Sequence, residues 1–219
     1  MERIRTLMLS LAMVMVASAC MSPTNAQEQV TPKTPEELQG LSTAYFASGC
    51  FWCVEAIYQA VNGVEEAISG YSGGKIKNPN YRLVSSGATQ HAEAVEVYYD
   101  PEVVSYETLV EVFFGSHDPT TLNRQGPDRG PQYRSAIFYQ TVDEKKIVDD
   151  YIAKLEANNV FDGEITTEVS ELTVFYPAED YHQEYEALNP NQPYVRSVSI
   201  PRLNRFKAKF PQLLKEQAH

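Results

Sequence analysis

Residues 42–63 read STAYFASGCFWCVEAIYQAVNG, and within this stretch a strand pattern gives way to a helix pattern. The apolar run Ser42–Ala47 predicts a short strand, which the pair Ser48-Gly49 ends. From Cys50 to Val61 the apolar residues recur at helical spacing, and Asn62-Gly63 predicts the end of that helix. The pattern therefore places Cys50 where a strand ends and a helix begins.

The rest of the domain continues this mixture of strands and helices. Patterns predict strands over Val64–Tyr71, Ala92–Tyr99, Arg134–Thr141 and Ile165–Tyr176, and helices from Ser105 to Phe114, from Asp143 to Ala157 and from Glu179 to Leu188. Residues 75–91 and 116–133 read as long loops, and the tail after residue 188 shows no firm period. This order predicts an α+β fold, a two-layer sandwich of split-βαβ (ferredoxin-like) type with long functional loops.

The composition excludes several classes of protein. The chain has 219 residues, 43% of them apolar, and its formal net charge is −11. Such a composition is typical of a folded domain. The acidic balance and the lack of clustered Lys and Arg argue against nucleic-acid binding. Three cysteines, Cys20, Cys50 and Cys53, are too few for a disulfide scaffold, and no Cys/His set has the spacing of zinc ligands, so we expect no metal.

The N-terminus reads as a signal for export. A basic start and an apolar centre of about a dozen residues predict a signal peptide over residues 1–19, too short to span a bilayer as a helix. Small residues before Cys20 resemble a bacterial lipoprotein signal, which would acylate Cys20 and anchor the protein in the periplasm. Thr24-Asn25-Ala26 offers an alternative cleavage site that would release a soluble protein. Residues 20–40 are polar and predict a flexible tether, followed by the domain over residues 41–219.

Cys50 is the first candidate for chemistry. Unpaired N–H groups and the dipole at a helix start favour a thiolate, and Gly49 permits a turn that exposes the sulfur. Phe51 and Trp52 are expected to flank the sulfur outside the core. The alternative is a buried structural thiol with packing aromatics.

Cys53 follows three residues later, on the same helix face, so a disulfide with Cys50 is geometrically allowed. Two functional interpretations compete. The pair exchanges disulfides as in thioredoxin, or Cys50 is oxidised and Cys53 resolves it. A spectator thiol is the alternative to both.

Seven segments, in order, resemble the A-type peptide methionine sulfoxide reductases over nearly all of residues 42–190. They are Ala47-Ser48-Gly49-Cys50-Phe51-Trp52, Tyr71-Ser72-Gly73-Gly74, Tyr81 with Val84-Ser85-Ser86-Gly87, His91-Ala92-Glu93-Ala94-Val95, Phe113-Phe114 with His117-Asp118-Pro119-Thr120, Gln125-Gly126-Pro127-Asp128-Arg129-Gly130 with Gln132-Tyr133-Arg134-Ser135, and Phe175-Tyr176-Pro177-Ala178-Glu179-Asp180 with His182-Gln183. Enzymes of this family repair methionine sulfoxide.

The resemblance implies a role for each matching residue. A sulfoxide sulfur is electrophilic only when its oxygen is protonated or strongly hydrogen-bonded. Cys50 would supply the thiolate and Glu93, with a pKa raised among aromatics, the proton. Tyr81 and Tyr133 would hydrogen-bond the sulfoxide oxygen. Attack would leave a sulfenic acid on Cys50, which a second thiol converts to a disulfide.

Further residues follow from the same resemblance. Asp128 would hold its loop and a water, and Phe51 with Trp52 would seat the substrate methyl group. The chain departs from the family pattern at Cys53, where relatives commonly have Gly, and at Gln90. No cysteine follows residue 53, so Cys53 is the candidate resolving thiol of the domain.

We therefore expect an exported, membrane-tethered, monomeric enzyme that reduces methionine-S-sulfoxide in proteins and free methionine sulfoxide. No organic cofactor is expected, and a thioredoxin-like protein would supply the electrons. One alternative is a thiol–disulfide oxidoreductase that uses Cys50 and Cys53 and leaves Glu93 without a role. Another is a surface lipoprotein without catalytic activity.

Overall fold

The computed structural model describes residues 33–34 and 36–216. The strands are β1 Ser42–Ser48, β2 Val64–Ser72, β3 Ala92–Tyr99, β4 Arg124–Gln125, β5 Asp128–Arg129, β6 Ser135–Tyr139, β7 Glu168–Glu171 and β8 Phe175–Pro177. The α-helices are α1 Phe51–Gln59, α2 Tyr81–Ser85, α3 Tyr106–Ser116, α4 Val142–Ala157, α5 Tyr185–Leu188 and α6 Ile200–Lys209. Short 3₁₀ turns cover Pro131–Tyr133, Asp180–His182 and Pro211–Leu213, and a π turn covers Val195–Ser199. The chain is thus an α+β protein.

Six strands form one sheet in the order β7-β6-β1-β3-β2-β8, and β4 with β5 forms a separate two-stranded ribbon. All neighbours in the large sheet are antiparallel except β6 and β7. In the centre of the sheet, Phe46 of β1 lies opposite Val95 of β3. Strand β1 therefore sits between the two strands that follow the long loops.

The core lies mainly between this sheet and the helices. Helices α1 and α3 pack against the sheet, and Phe46, Val95 and Val97 point into the same buried cluster as the apolar residues of these helices. The next residues along the strands face the other side, where Tyr45 and Ala94 form a smaller cluster. This alternation is the period of two that a strand imposes on its side chains.

Three predicted elements need correction. The cap of α4 is Thr141, whose side chain accepts a hydrogen bond from the Glu144 N–H, so Asp143 lies in the first turn of the helix. The apolar run Ile165–Tyr176 forms two strands, β7 and β8, on opposite edges of the sheet. The predicted helix Glu179–Leu188 divides into a 3₁₀ turn and α5, because Glu184 between them has a φ of 52°.

The tail without a period is helical. A π turn over Val195–Ser199 runs into α6, and the chain then returns to the end of α1. There Asn62 N–H donates to the Leu213 carbonyl at 2.8 Å, and Lys215 N–H donates to the Ala60 carbonyl at 3.0 Å. These contacts hold the C-terminal segment against the helix that carries the cysteines.

The N-terminal part of the described chain also contacts the domain. Lys33 N–H donates to the Glu66 carboxylate at 3.0 Å, and Leu38 is buried, so the last residues of the predicted tether pack on β2. The predicted signal and Cys20 lie outside the described residues. Within residues 33–34 and 36–216, no helix combines the length and apolar character that a membrane crossing requires.

Candidate active site

The turn between β1 and α1 carries Cys50 as the N-cap residue of the helix. Gly49 before it has a φ of 95°, and a Cβ on Gly49 would lie 2.6 Å from the Cβ of Gln125. The turn therefore needs glycine both for its backbone conformation and for the close approach of the loop 117–127. This local structure confirms the predicted junction of strand and helix.

Glu93 lies beside this turn. It is on β3, opposite Tyr71 of β2, on the sheet face that packs against the helices. Its Oε2 accepts a hydrogen bond of 3.1 Å from the N–H of Phe51, the first residue of α1. The side chain is 1% exposed, and this burial raises the pKa of Glu93 to about 8, although the Phe51 hydrogen bond opposes the shift. At neutral pH the carboxyl is therefore mostly protonated.

Cys50 and Cys53 are both reduced and hydrogen-bonded to each other. Burial raises the pKa of Cys50 well above its ordinary value, and the neighbouring Cys53 adds to this shift. The hydrogen bond with Cys50 lowers the pKa of Cys53 to about 6; burial opposes this shift, and the charge of Arg202 supports it. The negative charge of the pair therefore rests on Cys53.

The structure thus corrects the expectation of an exposed thiolate at Cys50. The side chain is only 6% exposed. It also makes no capping hydrogen bond, and the N–H of Phe51 at the helix start is donated to Glu93. Burial without such a bond keeps the proton on Cys50.

The two aromatics after Cys50 behave differently from each other. Phe51 is 1% exposed and packs among Tyr71, Tyr81 and His182, so it joins the core, contrary to expectation. Trp52 is half-buried. Its ring stacks on Tyr185 with 3.7 Å between centroids, and its Nε1–H donates to His182 Nδ1 at 3.1 Å. Only Trp52 of the two offers a partly open ring surface.

Two half-buried tyrosines lie near the cysteine and the acid. Burial raises the pKa of Tyr81 to about 12, and the nearby Glu93 and Cys50 add to the shift. Burial raises the pKa of Tyr133 too, with Glu93 and Tyr81 as further causes. Neither hydroxyl has a hydrogen-bond partner in the described part of the chain. Both are therefore neutral donors available to a bound oxygen atom.

Asp128 on β5 is half-buried, and burial raises its pKa. Its Oδ2 accepts a hydrogen bond of 2.5 Å from the hydroxyl of Tyr194, whose oxygen lies 4.0 Å from Cys53 Sγ. Asp128 therefore connects the ribbon β4–β5 to the C-terminal segment, on the side of Cys53.

The C-terminal segment contributes residues that the sequence did not identify. Ser199 and Arg202 both interact with Cys53, and Ser199 also donates to the buried carboxylate of Glu186. Ser199 has no signal in the sequence, and Arg202 falls in a stretch, residues 196–215, that contains six Lys and Arg and no Asp or Glu. The side chains of His91, His117 and His182 all make hydrogen bonds.

The start of α1 is surrounded by a buried neutral carboxyl, two free phenol groups and a pair of reduced thiols. Together these groups provide a nucleophile, a proton and a means of storing two oxidising equivalents. Such a site defines the class of thiol-dependent oxidoreductases.

The comparisons with known proteins place the chain within that class. Residues 42–214 match the family described as PMSR, peptide methionine sulfoxide reductase. The chain is 48% identical over 181 residues to peptide methionine sulfoxide reductase MsrA 2 of Synechocystis, covering 82% of this chain and 85% of the relative. It is 44% identical over 184 residues to an MsrA of Polynucleobacter asymbioticus, covering 84% and 97%. The chain therefore belongs to the peptide methionine sulfoxide reductase family.

Solved structures agree with this assignment. Methionine sulfoxide reductase A of Corynebacterium diphtheriae is 40% identical with a TM-score of 0.63, over 69% of this chain and 76% of that one. The reduced form of Mxr1 from Saccharomyces cerevisiae is 33% identical with a TM-score of 0.64, over 74% and 92%. This chain is accordingly an oxidoreductase that reduces methionine sulfoxide.

Proposed function

We propose that Cys50 reduces methionine-S-sulfoxide in proteins, and free methionine sulfoxide, with Glu93 as the acid. The observation that carries the proposal is the hydrogen bond from the Phe51 N–H to Glu93. This bond holds a neutral carboxyl against the residue that directly follows Cys50. A carboxyl in that position can protonate the sulfoxide oxygen while a thiolate attacks the sulfur atom.

The first half of the reaction requires one thiolate and one proton. The sulfur of Cys50 attacks, the oxygen moves to it with the Glu93 proton, and methionine leaves as the two-electron-reduced product. Tyr81 and Tyr133 donate hydrogen bonds to the oxygen, and Trp52 contacts the methyl group. Phe51 supports this site from within the core and does not line it as an open surface.

The second half restores the thiols. Cys53 condenses with the sulfenic acid of Cys50, which forms a disulfide and releases water. Two electrons from an external thioredoxin-like protein then reduce the disulfide. Support comes from the interaction between the two thiols at the start of α1. Asp128 accepts a hydrogen bond from Tyr194, whose hydroxyl oxygen lies 4.0 Å from Cys53 Sγ. The reaction uses thiols and protons alone, without an organic cofactor or a metal.

Thiol–disulfide exchange is a second candidate activity, because Cys50 and Cys53 form a pair of reduced thiols. It would not require a buried neutral carboxyl beside Cys50. The geometry of Glu93 therefore favours the sulfoxide reductase.

We also propose that the central strands follow the split-βαβ pattern of ferredoxin-like folds. The order β6-β1-β3-β2, with α1 and α3 in the two crossovers, supports this topology.

We further propose that the protein is exported and monomeric, that Cys20 is acylated, and that a tether precedes the domain. The sequence pattern supports these proposals. Mass spectrometry of the N-terminal peptide from a bacterial membrane fraction tests acylation. An unmodified chain that begins at residue 27 would instead favour cleavage after Thr24-Asn25-Ala26.

The reductase assignment is tested with a peptide that contains methionine-S-sulfoxide and no added reductant. The native chain should release one equivalent of methionine and lose both thiols. Cys50→Ser should release none, and retained turnover in this variant would overturn the assignment. Cys53→Ser should release up to one equivalent and then fail to turn over with a thioredoxin-like protein as its reductant. Disulfide exchange with insulin serves as the control for the second candidate function.

A further inference from the structure

A cavity of about 190 Å³ reaches Cys53 from the surface. Its rim includes the exposed residues Gly126, Pro127 and Arg205, and its buried end includes Cys53 and Arg202. Cys50 and the residues proposed to bind the sulfoxide do not line it. The cavity therefore gives access to Cys53 and not to Cys50.

Arg202 is held rigidly at the buried end of this cavity. Its side chain is almost fully buried. Its Nε donates to the Ser116 carbonyl at 2.9 Å, and its Nη2 donates to Ser48 Oγ at 3.0 Å. None of the ion pairs within residues 33–34 and 36–216 involves Arg202. A guanidinium stays protonated even when buried, so its charge needs a nearby negative group.

Cys53 is one of the groups on which that charge acts, together with Glu186 and Asp128. It lines the same cavity end as Arg202, and the charge of Arg202 acts on it. Ser199 of the neighbouring turn also interacts with Cys53, while its hydroxyl proton is donated to Glu186. Arginine beside a thiol stabilises the thiolate.

We propose that Arg202 is a positioning residue that keeps Cys53 ionised at neutral pH, so that Cys53 is able to accept the S–H proton of Cys50. The inference rests on the proposed function. When the sulfoxide binds, the S–H proton of Cys50 moves along the hydrogen bond to Cys53, and Cys50 attacks as the thiolate. In the next step the Cys53 sulfur bonds to Cys50, and the transferred proton leaves with the sulfenic hydroxyl as water. The sulfoxide sulfur gains the two electrons that the two thiols lose.

Other charged groups also face Cys53. Glu93 approaches from β3, Glu186 from α5 and Asp128 from β5, and all three disfavour a negative charge there when they are ionised. Tyr194 contributes a hydroxyl that stays neutral, because burial raises its pKa. Among the groups named here, Arg202 is the one that carries positive charge, so its removal should raise the pH at which the cysteine pair ionises.

The test compares Arg202→Met and Arg202→Lys in the full-length reduced protein. Methionine release in a single turnover is followed across pH, and thiolate is followed by its ultraviolet absorbance. In the native chain the acid limb should lie near the pKa of Cys53, about 6. In Arg202→Met it should move up by about one unit, so release at the native midpoint falls about fivefold and recovers as pH rises. Arg202→Lys should retain most of the native profile.

Arg205→Met is the matched control, because Arg205 lines the same cavity but is exposed, and its profile should not move. An unshifted limb in Arg202→Met, or a loss of release that is equal at every pH, would overturn the proposal. Arg202→Gln replaces Arg202→Met if that variant does not fold. An independent test compares the native chain with Cys53→Ser. The thiolate absorbance that the native chain shows at low pH should vanish in Cys53→Ser, and an absorbance that persists in this variant would also overturn the proposal. Retained turnover in Cys50→Ser would instead contradict the proposed function itself.

Discussion

Glu93 shows how a single residue acquires its chemistry from its surroundings. Burial opposes ionisation of the carboxyl, while the N–H of Phe51 favours it, and the net result is a pKa of about 8. Desolvation is therefore the stronger of the two effects. The neutral acid still accepts the Phe51 N–H through one oxygen and can donate its own proton from the other.

Replacing Glu93 with Gln should lower the rate of methionine release by about 10²- to 10⁴-fold, the usual range for loss of a general acid. Gln preserves the shape and the acceptor for Phe51 N–H, so the fold should remain. In the native chain the acid works in its protonated form, so activity is present below the pKa of about 8 and is lost as pH rises through it. Single-turnover measurements across pH should show this basic limb, and Glu93→Gln should lack it.

Glu96→Gln is the matched control on the same strand. Glu96 lies three residues after Glu93, on the opposite sheet face, where it accepts a hydrogen bond from the Tyr45 hydroxyl. Its replacement should leave both the rate and the basic limb nearly unchanged. Equal losses in the two variants would mean that any carboxyl lost from β3 impairs the enzyme and would contradict the role of Glu93.

The junction of β1 and α1 depends on one glycine at the scale of the element. Gly49 combines a positive φ with a close approach by Gln125. A side chain at Gly49 would strain the backbone and also push away the loop before Asp128. The position of Cys50 therefore depends on Gly49, a residue without a side chain.

Gly49→Ala should destabilise the fold by more than the ~1–3 kcal/mol that an unfavourable backbone conformation costs alone, and it should reduce methionine release. Gly40→Ala separates the two causes, because Gly40 has a φ of 91° but nothing lies within 4 Å of its added Cβ. Urea unfolding of both variants gives the comparison. If the two lose equal stability, the contact with Gln125 has no energetic importance.

Elements with strong local signals were predictable from sequence. The alternation Ala92–Tyr99 predicted β3 with its observed bounds, and the helix predicted from Ser105 to Phe114 corresponds to α3, which Ser105 caps. The apolar run Ile165–Tyr176 was wrongly predicted as one strand, because the two strands that it contains have similar local sequence patterns. Their positions at opposite edges of the sheet depend on partner strands that are distant in the sequence. Local propensity carries no information on such partners.

The C-terminal helix was missed for a different physical reason. Pro201 suggests a break, but it falls in the first turn of α6, where a missing N–H costs little. The helix is stabilised by packing of Phe206 into the core, together with the Arg202 hydrogen bonds to Ser48 and Ser116. Tertiary contacts of this kind lie outside the reach of periodicity.

At the scale of the molecule, the site is assembled from segments far apart in the chain. The site combines residues from different parts of the sequence, namely Cys50, Tyr81, Glu93 and Tyr133. Glu93 and Cys50 both act on the pKa of each tyrosine, which indicates that the four side chains lie close together in the fold. The motifs identified these residues, but not the burial of Cys50. Burial depends on the whole fold, and it decides which sulfur carries the charge.

Buried carboxyls also make the stability of the whole domain depend on pH. Glu55 on α1 accepts hydrogen bonds from Ser69 and from Glu184 N–H, and its burial raises its pKa to about 8 from 4.5. Its contribution to stability is complete below pH 4.5 and is lost as pH rises to about 8, with a slope of about 1.4 kcal/mol per pH unit. Glu55→Gln should remove that slope and raise the free energy of unfolding at pH 7. Glu156→Gln, at an exposed position, is the control substitution. Urea unfolding at several pH values gives the free energy of unfolding of each protein. Equal slopes against pH in the native chain, Glu55→Gln and Glu156→Gln would contradict the burial argument.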